Sequence, residues 1–217
     1  MRRLHSTERP MRRTRLIDWC LVTLAGMCVA ITTAGAQSRA AAAPAGTVMV
    51  EIVTDHGRIE AALDSAHAPI TVANFLRYVD AGLYANGRFH RTVRADNQPR
   101  DSVRIGVIQG SRAVESGGFP PILLEPTPKT GLHHADGTLS MARAGPNTAT
   151  SDFFICIGEQ PALDFGGHRN LDGQGFAAFG KVTSGMDVVR AIQQSPAQAQ
   201  QLTPPVQILH IRRLGKP

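Results

Sequence analysis

The sequence predicts a mainly β domain, a closed eight-stranded antiparallel barrel capped by two α-helices. Three observations lead there. The ordered part opens with a hairpin pattern, short strand-like runs then follow one another to the end of the chain, and only two stretches carry a helical period.

The hairpin comes first. Val48, Val50 and Ile52 alternate with Met49 and Glu51, Asp55-His56-Gly57 supplies a turn, and Ile59, Ala61 and Leu63 alternate in the return strand. After Pro69, Val72, Phe75, Leu76 and Val79 recur at i, i+3, i+4 and i+7, which predicts an amphipathic helix ending near Gly82. Strand candidates follow at Gly87–Val93, Val103–Gln109, Ile122–Glu125, Thr138–Ala142, Phe153–Gly158 and Phe176–Val182. A second helix, Gly185–Gln194 with Val188, Val189, Ala191 and Ile192 apolar, precedes a final strand at Val206–Arg212. There is no internal repeat. Between two of the strands, Gly145-Pro146-Asn147 stops the ladder and turns the chain, so an exposed loop sits on a rigid frame.

The first 36 residues have a different composition. Six arginines (Arg2, Arg3, Arg9, Arg12, Arg13 and Arg15) precede an apolar stretch from Trp19 to Ile31, and Ala34-Gly35-Ala36 forms a small-x-small pattern before Gln37. This reads as a secretory signal peptide over 1–36, with export to the periplasm or medium. The apolar run falls short of the ~20 residues of a membrane span. Met11 offers an alternative start, and Cys28 is one residue out of register for a lipoprotein cysteine. Residues 37–46, with four consecutive alanines, read as a flexible linker, leaving a domain over 47–217.

Charge and cysteines exclude several classes of function. The leader's six arginines stand against Glu8 and Asp18, so it carries +4 of the chain's +6, and +2 remains on the rest. That balance is no basis for nucleic-acid binding. Cys20 and Cys28 belong to the leader, so Cys156 has no partner for an internal disulfide and, within an apolar run, reads as a buried, inert thiol. Adjacent His133 and His134 read as a loop rather than as ligands, His168-x-Asn170-x-Asp172-Gly173 lacks the first Asp and closing Glu of a calcium loop, and no Gly-x-Ser-x-Gly elbow is present. No metal or other cofactor is expected.

Four segments, "APITVANFLRYVDAGLYANGRFHR", "VIQG", "DGTLSMARAGPNTATSDFFICIG" and "FAAFGKV", occur in this order within Thr47–Arg213. Together they resemble the cyclophilin-type peptidyl-prolyl cis/trans isomerases. The resemblance implies an eight-stranded barrel with two helices and an outer groove that binds an extended Xaa-Pro segment of an unfolded or folding protein. Arg91 matches the family's catalytic arginine, Gln109 the glutamine that orients it, and Phe154 the floor of the proline pocket. Ala142, Arg143 and Ala144 match the edge whose backbone pairs with substrate, and Val107, Asp152, Leu163 and Phe176 occupy further substrate-contacting positions. Phe153, on the opposite face from Phe154, reads as core.

The implied chemistry is well bounded. A prolyl bond rotates over a barrier of ~18–20 kcal/mol because the nitrogen lone pair is delocalised into the carbonyl. A cation that donates a hydrogen bond to the prolyl nitrogen finds a lone pair only in the twisted state, so it stabilises that state selectively.

The chain also departs from the family pattern. Seventeen residues separate Arg91 from Gln109, which predicts an extra polar loop over Arg94–Arg104. Gly106 and Ala162 fall where the family carries aromatics, Val107 where it carries methionine, Phe176 where it carries histidine, and Asp152 where it carries glutamine. A thinner pocket wall predicts weaker proline capture. The rival reading is a peptide-binding or holdase module that keeps the barrel with little catalysis. The expected state is a monomer without a stable membrane span.

Overall fold

Thr47–Thr54 (β1) and Gly57–Asp64 (β2) pair antiparallel along their whole length, from Thr47↔Asp64 to Thr54↔Gly57. Their alternation places Val50, Ile52, Ile59, Ala61 and Leu63 in the core with no exposed surface. The structure is a computed structural model and describes residues 46–99, 102–113 and 117–215. The signal-peptide reading of 1–36 lies outside the described residues, as does the linker apart from Gly46, whose carbonyl accepts from the Ser65 amide at 2.8 Å.

Helix α1 (Pro69–Asp80) starts at a proline and buries Val72, Phe75, Leu76 and Val79, the stripe that the period predicts. Strand β3 (Gly87–Val93) follows with the expected bounds, whereas β4 is Val107–Ser111 rather than Val103–Gln109. Ile105 leaves the ladder because its amide donates to the Gln98 side chain at 3.1 Å. Ile122–Glu125 is not a strand but makes one bridge, Ile122↔Ala149. Glu125 instead turns inward, where its Oε2 accepts from the Thr71 amide and hydroxyl, both at 2.8 Å. The N-terminus of α1, whose N-cap residue Ala68 has no polar side chain, is thus capped by a carboxylate brought in by the fold. A short helix α2 (Thr127–Thr130) that the sequence reading missed comes next.

The remaining elements are β5 (Thr138–Met141), β6 (Phe153–Cys156), β7 (Ala177–Ser184), α3 (Met186–Gln194), β8 (Ala197–Gln198) and β9 (Gln201–Arg213). The strands run β1-β2-β7-β5-β6-β4-β3-β9, and β1 pairs with β9, so eight strands close into a barrel with β8 added outside it. At the closing seam Glu51 faces Arg212, and the two side chains form an ion pair at 2.6 Å. Strand β9 starts earlier than the predicted Val206 and runs through Pro204 and Pro205. These prolines sit where the register with β3 jumps from Phe89↔Val206 to Arg91↔Gln201, so no ladder bond is asked of them.

Two apolar clusters occupy opposite faces of β4 and β6. Ile108, Phe153 and Ile155 join α1 and the hairpin in the main core, while Val107, Phe154 and Cys156 join Val93, Ile105 and Leu163 in a smaller cluster outside the barrel. The period of two along each strand builds both, and the outer cluster is the base of the candidate site. Among the described residues no helix is long and apolar enough to cross a membrane.

Candidate active site

A cross-strand row sets the centre of the site. Arg91 on β3 pairs with Gln109 on β4, and Gln109 pairs with Phe154 on β6. Plain alternation would send Phe89 and Arg91 to the same face. His90 is an extra residue in this register, however, since Phe89↔Gly110 is followed by Arg91↔Gln109. The bulge lets Phe89 fill the core while Arg91 turns outward beside Gln109. Opposite Phe89 stands Gly110, where a Cβ would lie 3.0 Å from the ring.

Two glutamines grip the guanidinium. Arg91 Nη1 donates to Gln109 Oε1 at 3.0 Å, and Nε and Nη2 donate to Gln200 Oε1 at 3.0 and 2.6 Å. Arginine has donors only, so both amides must present oxygen here. Gln200 lies in the turn between β8 and β9, 109 residues from Arg91, and no local pattern marks it.

Phe154 forms the floor. Its ring meets Phe176 edge-on at 5.3 Å and 88°, and His134 stacks behind it at 6.0 Å and 17°. His134 is buried, and burial pushes its pKa below the usual histidine value, which keeps the ring neutral near pH 7. Burial raises the Asp164 pKa, but hydrogen bonds from His133 and His134 outweigh that and leave it low, so Asp164 is a carboxylate. His134 Nδ1–H therefore donates to Asp164 Oδ1 at 2.6 Å, and Nε2 accepts from the Ser140 hydroxyl at 2.9 Å. Ser140 has no exposed surface, so this Asp–His–Ser chain supports the floor and offers substrate no nucleophile. His133 lies in the same loop, with Nδ1 2.8 Å from Asp164 Oδ2. Burial also pushes the Cys156 thiol well up, leaving it inert.

The groove over this floor has a volume of about 480 Å³. Of the sequence-predicted residues, Arg91, Val107, Gln109, Ala142, Arg143, Phe154, Leu163 and Phe176 line it. Ile105, Arg169 and Asn170 complete the wall, and the Arg169 backbone amide donates to the Ala162 carbonyl at 3.2 Å. Arg143 contributes more than backbone. Its guanidinium binds Asp172 with two bonds of 2.7 and 2.9 Å, donates from Nε to the Gly175 carbonyl at 2.8 Å, and lies 5.1 Å from the Phe176 ring centre. These bonds hold the Asp172 carboxyl down to about 2 and tie its loop to the floor.

Two predicted residues are not in the groove. The Ala144 amide donates to Thr148 Oγ1 at 3.1 Å within the Gly145-Pro146-Asn147 turn. Asp152 lines a neighbouring depression with Arg88, His90, Ser111 and Arg112, and only its carbonyl, accepting from the Ala142 amide at 2.8 Å, supports the edge. The Arg143 amide and carbonyl have no backbone partner among the described residues, which leaves the N–H and C=O of this one residue of the edge open to an extended chain.

Comparison with known proteins follows the same outline. The profile of the family described as "Cyclophilin type peptidyl-prolyl cis-trans isomerase/CLD" matches residues 49–213. The chain is 37% identical over 167 residues to peptidyl-prolyl cis-trans isomerase A of Dickeya dadantii, covering 76% of this chain and 81% of that protein. It is 36% identical over 154 residues to peptidyl-prolyl cis-trans isomerase B of Escherichia coli, covering 67% and 84%. Among solved structures, a Cryptosporidium parvum cyclophilin type peptidyl-prolyl cis-trans isomerase aligns with a TM-score of 0.64 and 25% identity over 79% of this chain and 99% of that one. The same parasite protein in the presence of the dipeptide Ala-Pro aligns with a TM-score of 0.62. Barrel order, outer groove and sequence identity agree: this chain belongs to the cyclophilin-type peptidyl-prolyl cis/trans isomerase family.

Proposed function

We propose that the protein accelerates rotation about Xaa-Pro bonds in polypeptide segments laid along the groove. One observation carries the reading: the Arg91 guanidinium, held by Gln109 and Gln200, faces the same groove that Phe154 floors. The pyrrolidine ring rests on Phe154 between Phe176 and Leu163, and the Arg143 N–H and C=O pair with the backbone beside it. Arg91 donates to the prolyl nitrogen as the bond twists, and the fixed donor pays little reorganisation at that moment. A protease-coupled isomerisation assay on Xaa-Pro peptides tests this, and a rate no higher than the uncatalysed one rules it out. The holdase reading is not favoured, because binding alone has no use for a cation held by two amides.

The same reading extends to the cell. The arginine-rich start, the apolar run and Ala34-Gly35-Ala36 support a protein exported through a cleaved signal peptide, acting as a monomer on folding chains in the periplasm or medium. N-terminal sequencing of exported material is expected to begin near Gln37, and Met1 or Met11 would refute cleavage. Sedimentation of the mature protein as a dimer would refute the monomer.

A further inference from the structure

The polar insertion after Arg91 makes specific contacts on the far side of the guanidinium. A short turn at Ala95–Asn97 opens it, and Gln98, 1% exposed, closes it by bonding the Arg94 and Ile105 carbonyls at 2.6 and 2.8 Å. Gln98 thus fixes Asn97. Asn97 Oδ1 accepts from the Arg94 amide at 2.8 Å, and Nδ2 donates to the Thr92 and Ala199 carbonyls, both at 3.0 Å. Ala199 and Gln200 form the turn between β8 and β9.

That turn needs fastening. Strand β8 has two residues and two register pairs, Ala197↔Leu202 and Gln198↔Gln201, and Ala199 adopts φ +54°, a region that side chains other than Gly, Asn and Asp seldom occupy. Besides Asn97, the Thr92 amide secures it by donating to the Gln200 carbonyl at 2.8 Å, and Gln200 Nε2 donates back to the Asn97 carbonyl at 3.4 Å. Gln200 Oε1 is then fixed against Arg91 Nε and Nη2, the edge that Gln109 does not reach.

We propose that Gln200 is a positioning residue for Arg91, and that the role of the insertion is to hold Gln200 in place through Asn97. The proposal rests on the isomerase reading above. Without the Gln200 bonds the Nε and Nη2 edge loses those restraints and the guanidinium can shift about its side-chain torsions, and misplacing a reacting donor by about 1 Å costs on the order of 100-fold at the extreme. The effect falls on rotation rather than on peptide binding, because Phe154 and the Arg143 edge are untouched.

The test compares the purified wild type with Gln200→Ala, Gln200→Met, Asn97→Ala, Arg91→Lys and the double variant Gln200→Ala/Arg91→Lys. Gln200→Ala and Gln200→Met are expected to lower kcat/KM about tenfold, Asn97→Ala about threefold, with Kd for an Xaa-Pro peptide changed less than about twofold. In the Arg91→Lys background, Gln200→Ala is expected to cost less than about twofold, because the two act as a unit. The Arg91 Nε–H resonance, assigned by its absence in Arg91→Lys, should exchange with water faster once Gln200 is replaced. An active wild type with both Gln200 variants at wild-type rates, or an undiminished tenfold loss in the Arg91→Lys background, overturns the role of Gln200 alone. An inactive wild type overturns the isomerase reading and the positioning role with it.

Discussion

Replacing Arg91 separates the charge of the site from its shape. The guanidinium uses Nη1 for Gln109 and Nε with Nη2 for Gln200, so its plane is fixed from two edges. Arg91→Ala removes the donor proposed for the prolyl nitrogen, and loss of one such preorganised donor elsewhere costs ~100 to 1000-fold, or ~2.7 to 4 kcal/mol. Arg91→Lys keeps the charge, but an ammonium is a point donor without the planar fork, so it leaves at least one glutamine oxygen unbridged. Lysine is therefore expected to recover no more than about tenfold of the loss, equivalent to ~1.36 kcal/mol. Stability should change little, because Arg91 lies on the outer face, away from the main core, and its removal opens no internal cavity. The assay is protease-coupled isomerisation of a short Xaa-Pro peptide by wild type and both variants, with thermal melts as a folding control. If Arg91→Ala keeps more than about a third of the activity, or Arg91→Lys matches wild type, the mechanism is wrong.

Three further outcomes are expected. Tyr84→Phe should cost ~1 to 3 kcal/mol in urea unfolding, because its hydroxyl donates at 2.6 Å to the Ser151 carbonyl in a buried site; an unchanged midpoint would contradict this. Burial lowers the pKa of both His90 and His134, so between those folded values and ~6.5 the unfolded chain binds more protons. Their contribution is thus complete above ~6.5 and is lost on acidification, at up to ~1.36 kcal/mol per pH unit for buried His134 and at less for His90, which is part-exposed and screened by solvent. Urea midpoints should fall from pH 7.5 to 5.5, and a constant or rising midpoint counts against it. Cyclosporin should bind weakly, since the resemblance puts Ala162 where the family carries the indole that packs on it, and loss of a comparable aromatic contact costs at most ~3 to 5 kcal/mol; nanomolar affinity by calorimetric titration would refute that correspondence.

Local pattern made much of this protein legible. The alternation of Val48 to Leu63, the helical stripe from Val72 to Val79 and the opposite facing of Phe153 and Phe154 are set by the pleat and the helical turn, which any stretch of chain carries within itself. The four family segments single out Arg91, Gln109 and Phe154, and all three line the groove. Ile122–Glu125 shows where such reading stops: its apolar run resembles a strand, yet Glu125 caps a helix that begins more than fifty residues earlier.

Only the tertiary structure decided what holds the site. One extra residue at His90 turns Arg91 outward, and a bulge is a fact about register with a partner strand rather than about composition. Gln200 reaches Arg91 because β9 lies beside β3 in the closed barrel, and Asn97 reaches Ala199 for the same reason. His134 and Asp164 meet behind Phe154 through a loop of no recognisable pattern. Sequence by itself determined the periods, the turns and the chemical groups available for catalysis. Hydrogen bonds between residues a hundred positions apart have no local signal, so which groups converge, and from which side each is held, follows only once the barrel has closed.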